Sequence, residues 1–138
     1  ERVTDQGDHQ FTYSLLPHAG DWRNGGSVQR ARELNQPVVI LPGTAASVPS
    51  LFTISSPNVV VDSVKKAEDS DEVIIRLHEA CGQSLKTTLT FGVRSEAAVE
   101  CDLLEQDLTP LKISKMKVSL RFSAFEIKTL KVKFKAKK

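Results

Sequence analysis

The chain has 138 residues, of which 40% are hydrophobic and 26% charged, with a formal net charge of +2. That length fits one domain, residues 1–138, with room for a real hydrophobic core, and the composition excludes a disordered or membrane-spanning chain. No apolar run approaches the roughly 20 residues of a transmembrane helix, and the net charge alone does not make a nucleic-acid binder.

The acidic turn at residues 4–9 leads into FTYSL (residues 11–15), where Phe11, Tyr13 and Leu15 alternate with Thr12 and Ser14. Alternation at period two predicts a half-buried strand. Pro17 breaks it into a loop with His18, Asp21, Trp22 and Arg23. The only convincing helical pattern is SVQRAREL, with Ser27 as cap and Val28, Ala31 and Leu34 at helical spacing. It predicts one short helix near residues 27–35.

Residues 38–41 and 51–55 read as short strands separated by a small-residue loop. Longer strands are expected over residues 59–65, 73–79, 85–91, 97–104, 116–122 and 125–134, with a polar connection around Pro110. In the last of these, Phe125 and Ile127 share one parity and Leu130, Val132 and Phe134 the other, which predicts a bulge near Lys128 and Thr129. Many short strands separated by turn signals predict an all-β chain, an antiparallel β-sandwich.

Cys81 and Cys101 lack ligand spacing and read as two small buried thiols; pairing needs a geometry that sequence does not supply. A reducing compartment, the cytoplasm, is the expected setting. Lys128, Lys131, Lys133, Lys135, Lys137 and Lys138 crowd the last eleven residues. They read as the guard of a solvated edge strand ahead of an anion-binding patch.

Three constellations could carry chemistry. His18, Asp21, Trp22 and Arg23 could form a sugar platform, since an indole face packs on a sugar's C–H surface while polar neighbours bond its hydroxyls; the plainer alternative is that Trp22 plugs one end of the sandwich and His18 bonds backbone. Arg76, His78 and Glu79 in VIIRLHE form the second. Arg76 and His78 face one way, and Glu79 shares the apolar parity at a strand end that solvent is expected to reach. The plainer reading is a structural ion pair for Arg76, within the fold or across a domain contact. The third is catalysis, for which the chain shows no GxSxG, no HExxH and no glycine-rich phosphate loop. Its acids lie mostly in turns.

GDHQFTYSLLPHAGDW (residues 7–22), followed by ARELNQPV (residues 31–38), resembles the start of the C-terminal domain of the glycoside hydrolase family 38 α-mannosidases. Three blocks follow in the same order: residues 50–82, CDLLEQ (residues 101–106) and RFSAFEIKTLKV (residues 121–132). The resemblance covers nearly the whole chain and is nearest the cytosolic and bacterial branch. It implies a retaining enzyme that releases mannose from α-linked mannosides. Its nucleophilic aspartate and its zinc ligands would lie in an N-terminal catalytic domain, and the C-terminal sandwich would pack against that domain and help shape its cleft.

On this footing the chain is expected to be an excised C-terminal piece, inactive alone. It holds no cofactor of its own, and no residue in it is assigned to catalysis or metal binding. His18, Asp21, Trp22, Arg76 and Glu79 are candidates for a substrate rim or a domain interface. The expected partners are the catalytic domain of the same polypeptide and its mannoside, with no nucleic acid and no membrane; the parent's oligomeric state, homo-oligomer included, stays open. Two alternatives stand beside this: an autonomous carbohydrate-binding module centred on Trp22, and a purely structural interaction domain.

Overall fold

A computed structural model describes residues 6–40, 42–43 and 50–135. The contacts divide the chain into two units, residues 1–40 and 41–138.

The second unit is an antiparallel sandwich. Its strands are β1 (Phe52–Ile54), β2 (Val59–Lys66), β3 (Val73–Glu79), β4 (Leu85–Phe91), β5 (Ser95–Cys101), β6 (Asp107–Pro110), β7 (Lys117–Phe122) and β8 (Ile127–Phe134). One sheet has the order β1-β4-β7 and the other β2-β3-β8-β5-β6. Period-two alternation explains the layering. Leu89 and Phe91 of β4 and Val118, Leu120 and Phe122 of β7 meet Val59, Ile75, Leu77, Leu130 and Val132 of the larger sheet in one buried cluster. Phe91 and Phe134 close it edge to face, with ring centroids 5.6 Å apart.

A smaller cluster of Ala67, Ile74 and Cys101 is also buried. The turn at residues 102–106 is tied down close by. Asp102 accepts the backbone N–H groups of Leu104 and Gln106 (2.8 and 2.9 Å), the Glu105 carbonyl accepts Lys131 Nζ (2.8 Å), and the Glu105 carboxylate accepts the N–H of Glu68 (2.9 Å).

The first unit contains α1 (Ser27–Asn35). Among its described residues none is buried, and Phe11, Tyr13, Leu15, Val38, Val39 and Ile40 are each at least three-quarters exposed. The helix lies where the spacing placed it, but Ser27 is its first residue rather than its cap. That position falls to Gly26 in a left-handed conformation, with no side-chain cap bond.

Several strand expectations are corrected. Residues 11–15 and 38–40 form no ladder, so their alternation has no sheet to pair with among the described residues; Leu41 lies outside those residues. The fifth strand ends at Cys101 because Asp102 turns the chain with its own carboxylate. β6 occupies what reads as a polar connection, pairing with the outer edge of β5 where Pro110 is tolerated. No bulge falls at residues 128–129, since β8 pairs with β3 in unbroken register from Ile127 to Val132. The phase change arises because Phe125 stands in a turn at φ 59°. Finally, β8 is the central strand of its sheet, not a lysine-guarded edge. Lys128 bridges Glu100 and Glu126 (2.7 and 3.0 Å), and Lys131 bridges Asp107 (2.8 Å). Lys137 and Lys138 lie outside the described residues.

Glu79 ties one end of the large sheet together. Sharing parity with Ile75 and Leu77, it turns inward and is fully buried, contrary to the solvent-reached position that its place at a strand end suggests. Its Oε1 accepts the N–H of Cys81 (2.9 Å), and its Oε2 accepts those of Gly82 (2.7 Å), Gln83 (3.0 Å) and Phe125 (3.0 Å). The turn after β3 and the turn before β8 therefore share one carboxylate. The Glu79 N–H donates to the Glu126 carbonyl (3.0 Å) and that of Ala80 to the Asn58 carbonyl (2.8 Å), which brings in the start of β2. Gly82 has φ +70°, and a Cβ there would stand 2.6 Å from the Phe125 ring. Burial pushes the Glu79 carboxyl up, but the N–H groups of Phe125, Cys81, Gln83 and Gly82 outweigh it and hold the group below the ordinary glutamate value.

Glu79→Ala leaves four backbone donors without their acceptor and should cost about 3–5 kcal/mol of unfolding free energy in urea. Glu79→Gln keeps the shape but sets an amide N–H₂ against a donor and should cost about 2–3 kcal/mol. A loss under about 0.5 kcal/mol in both would contradict this role. Because the folded pKa is depressed, this stabilisation is complete above the unfolded value of about 4.3 and is lost as pH falls through the lower folded value. The stability gap between the wild type and Glu79→Gln should thus narrow as pH drops below about 4, and a gap constant down to full protonation would refute the assignment.

Candidate functional site

The five candidate residues fall into separate local structures. His18, Asp21 and Trp22 sit in the turns that lead to α1. Asp21 works as a turn former: its Oδ1 accepts the N–H of Arg23 and of Asn24, both at 3.0 Å, and its carbonyl accepts the N–H of Gly25 (2.9 Å). The Asn24 N–H, ahead of the Arg23 contacts, holds its carboxyl below the ordinary aspartate value. The Arg23 guanidinium lies 4.4 Å from the Trp22 ring centroid, so one face of the indole is already occupied by a cation. His18 packs its ring directly on Gly25, where an added Cβ would stand 2.3 Å from Nδ1. A side chain at residue 25 would have to displace the exposed His18 ring.

Arg76 and Glu79 lie on opposite faces of β3. Glu79 points inward as described, and Arg76 points outward. Its Nε donates to Thr129 Oγ1 (3.3 Å) and an Nη donates to the Leu103 carbonyl (3.1 Å). These hydrogen bonds pin the 102–106 turn to the outer face of the large sheet, and among the described residues Arg76 makes no ion pair within the chain.

Two strand residues away, His78 Nδ1 lies 2.8 and 2.9 Å from the two carboxylate oxygens of Asp62. Asp62 is the extra residue of a bulge, since Val61 pairs with Leu77 and Ser63 with Arg76. The bulge aims its side chain at the histidine. Sequence parity alone gives no sign of this pair, because a bulge inside VVVDSVK leaves no mark on composition. Glu105 was likewise passed over, yet it accepts Lys65 Nζ at 2.8 Å and helps fasten its turn.

Chemically, these groups bond backbone, orient turns and neutralise neighbouring cations. Glu79 and Arg76 are consumed by structural bonds. Cys81 and Cys101 are both buried, and neither is in a disulfide among the described residues. Among the described residues, no group of three or more His, Cys, Asp or Glu side chains is placed to hold a metal ion. No helix of the described residues is long and apolar enough to cross a membrane.

Comparison with known proteins agrees with this architecture. Residues 58–130 match the family described as the glycosyl hydrolases family 38 C-terminal beta sandwich domain. The chain is 36% identical to alpha-mannosidase 2C1 of Homo sapiens over 94% of its own length, and equally so to the Mus musculus protein of the same name. It is 27% identical to alpha-mannosidase G of Dictyostelium discoideum over 92% of its length. It spans only 13% of the length of the human and mouse relatives. The match runs from just before β2 to the middle of β8, across the strands that build the core and the Glu79 corner. The chain belongs to glycosyl hydrolase family 38, as a C-terminal β-sandwich domain of that family.

Proposed function

We propose that this chain is the C-terminal sandwich of an α-mannosidase that hydrolyses α-linked mannosides with retention, and that it supports and helps shape the cleft of a catalytic domain carried elsewhere in the same polypeptide. The observation that carries the reading is the first unit. Its described residues expose Phe11, Tyr13, Leu15, Val38, Val39 and Ile40 and bury nothing. An apolar segment of this kind, with an alternating strand pattern but no sheet, is the signature of a surface that other chain covers. The 13% share of the relatives' length leaves most of such an enzyme to supply that cover.

On this reading zinc and the nucleophile belong to the catalytic domain, and the mannoside meets the sandwich at most at its rim. Two buried cysteines that are not joined in a disulfide suit a cytoplasmic enzyme. The Arg23 guanidinium over Trp22 favours packing over a sugar platform for that ring.

The chain by itself should release no product from an aryl α-mannoside, and measurable turnover would overturn the support role. Trp22, the sole tryptophan, should keep a flat fluorescence signal through a mannose titration into the millimolar range. A saturable change would instead establish the carbohydrate-binding alternative. In the whole parent polypeptide, replacing Phe11 and Leu15 by Asp should lower activity about tenfold or more, since buried apolar anchors at an interface are typically worth about 2 kcal/mol or more each. Full activity in that variant would show that the surface is not covered.

A further inference from the structure

The charges of the sandwich are segregated by sheet. Residues 50–58, 83–94 and 111–125, which supply β1, β4 and β7 with their flanks, contain no Asp or Glu at all, yet they hold Lys86, Arg94, Lys112, Lys115, Lys117 and Arg121. Every acidic residue of the second unit belongs to the segments of the other sheet and its turns. There Lys65, Lys66, Lys128 and Lys131 are each held by a carboxylate, while Lys133 and Lys135 at the end of β8 are exposed and bridged by none among the described residues. By contrast, among the described residues no carboxylate bridges any cation of the three-stranded sheet.

The register makes this costly. Lys86 stands directly opposite Arg121, and Thr88 opposite Ser119. Like charges directly across an antiparallel pair destabilise it. Guarding an exposed edge would explain cations on β7 alone, because β7 is an edge strand. It does not explain a lysine on the central strand β4 placed against an arginine.

β7 offers two further features. Among the described residues its outer edge has no strand neighbour beyond the Ser114–Lys117 bridge, which leaves the outward backbone groups of Ser119 and Arg121 open. Its exposed residues Lys117, Ser119 and Arg121 alternate with the buried Val118, Leu120 and Phe122. An extended partner laid along that edge would take backbone bonds from β7 and place every second side chain beside Lys117 and Arg121. Lys117 and Arg121 lie roughly 14 Å apart along the strand at about 3.4 Å per residue, too far for one small anion and matched to a strand. The face carries hydroxyls and cations but no aromatic ring on which bases could stack, which argues against single-stranded nucleic acid.

We propose that the three-stranded sheet docks an extended, carboxylate-rich protein segment, which adds as a fourth strand beside β7 and neutralises Lys117, Arg121 and, through Arg121, the Lys86 repulsion. The same cations repel a second copy of this edge, so the device both prevents self-pairing and selects an acidic strand. This inference stands whether or not the parent is a mannosidase.

The test is an amide-resolved NMR titration of the chain with a short soluble peptide of alternating Glu and Val, and with its Lys–Val counterpart. The Glu–Val peptide should bind, shift the amides of residues 117–121 and protect from exchange the outward N–H groups of Ser119 and Arg121. The Lys–Val peptide should do neither. The doubly substituted Lys117→Glu, Arg121→Glu chain, checked for fold by its core amide shifts, should bind about tenfold or more weakly. A Lys133→Glu, Lys135→Glu chain should bind as the wild type does. No binding of the Glu–Val peptide would overturn the proposal. So would equal affinity in the Lys117/Arg121 variant, shifts centred on other residues, or tighter binding of a single-stranded oligonucleotide of similar length.

Discussion

Glu79 is a buried carboxylate whose counter-charge is not a cation but four backbone N–H groups drawn from two turns. Burying a charge costs several kcal/mol unless it is fully hydrogen-bonded, so those turns cannot drift apart without stranding it. The first bonded turn follows β3 and the second precedes β8, which are neighbours in the large sheet. Fixing them fixes where that pair begins and ends, and therefore which residues of β8 meet Ile75 and Leu77. Phe125 accepts a left-handed φ, and Gly82 lies under its ring, because this carboxylate holds both N–H groups at once. The family match spans this corner, since residues 58–130 include the Asn58 carbonyl, Glu79, the turn at 81–83 and Phe125.

Away from that corner, polar side chains do two different jobs on the two sheets. On the large sheet they are consumed internally: Arg76 and Lys131 fasten the 102–106 turn, Asp62 meets His78 at a bulge, and Lys128 joins two glutamates. On the small sheet, among the described residues, no carboxylate bridges a cation. The exposed apolar residues at 11–15 and 38–40 and the cationic face at β4 and β7 are two surfaces of opposite chemistry.

Much of the sandwich is legible in the sequence because half-buried strands write their parity directly. The runs at 73–79 and 85–91 match β3 and β4 residue for residue, and the helix at 27–35 follows from the spacing of Val28, Ala31 and Leu34. Parity misleads where a strand has no partner, as in FTYSL, since alternation records a preference for a sheet but not the presence of one. It also misled at Lys128 and Thr129, where a turn residue with positive φ, not a bulge, shifts the phase. Composition misplaced the lysines of β8, which sit in the middle of a sheet because acids from β5, β6 and the preceding turn reach them. The inward parity of Glu79 was visible, but four N–H groups converging on it depend on residues 46 positions apart in sequence. The lack of acids in three separated segments was readable throughout; it acquires meaning only once the topology places those segments in one sheet.

The claim on which the rest depends is that one carboxylate locks the two turns as tightly as the sheet itself. Native-state amide hydrogen exchange tests it directly, because Gly82, Gln83 and Phe125 lie in turns that would otherwise exchange quickly. Their N–H groups should exchange only through global unfolding, with the same free energy as Leu77 and Leu130 in the core strands. Exchange of these turn amides at rates typical of exposed loops, while Leu77 and Leu130 stay protected, would contradict it.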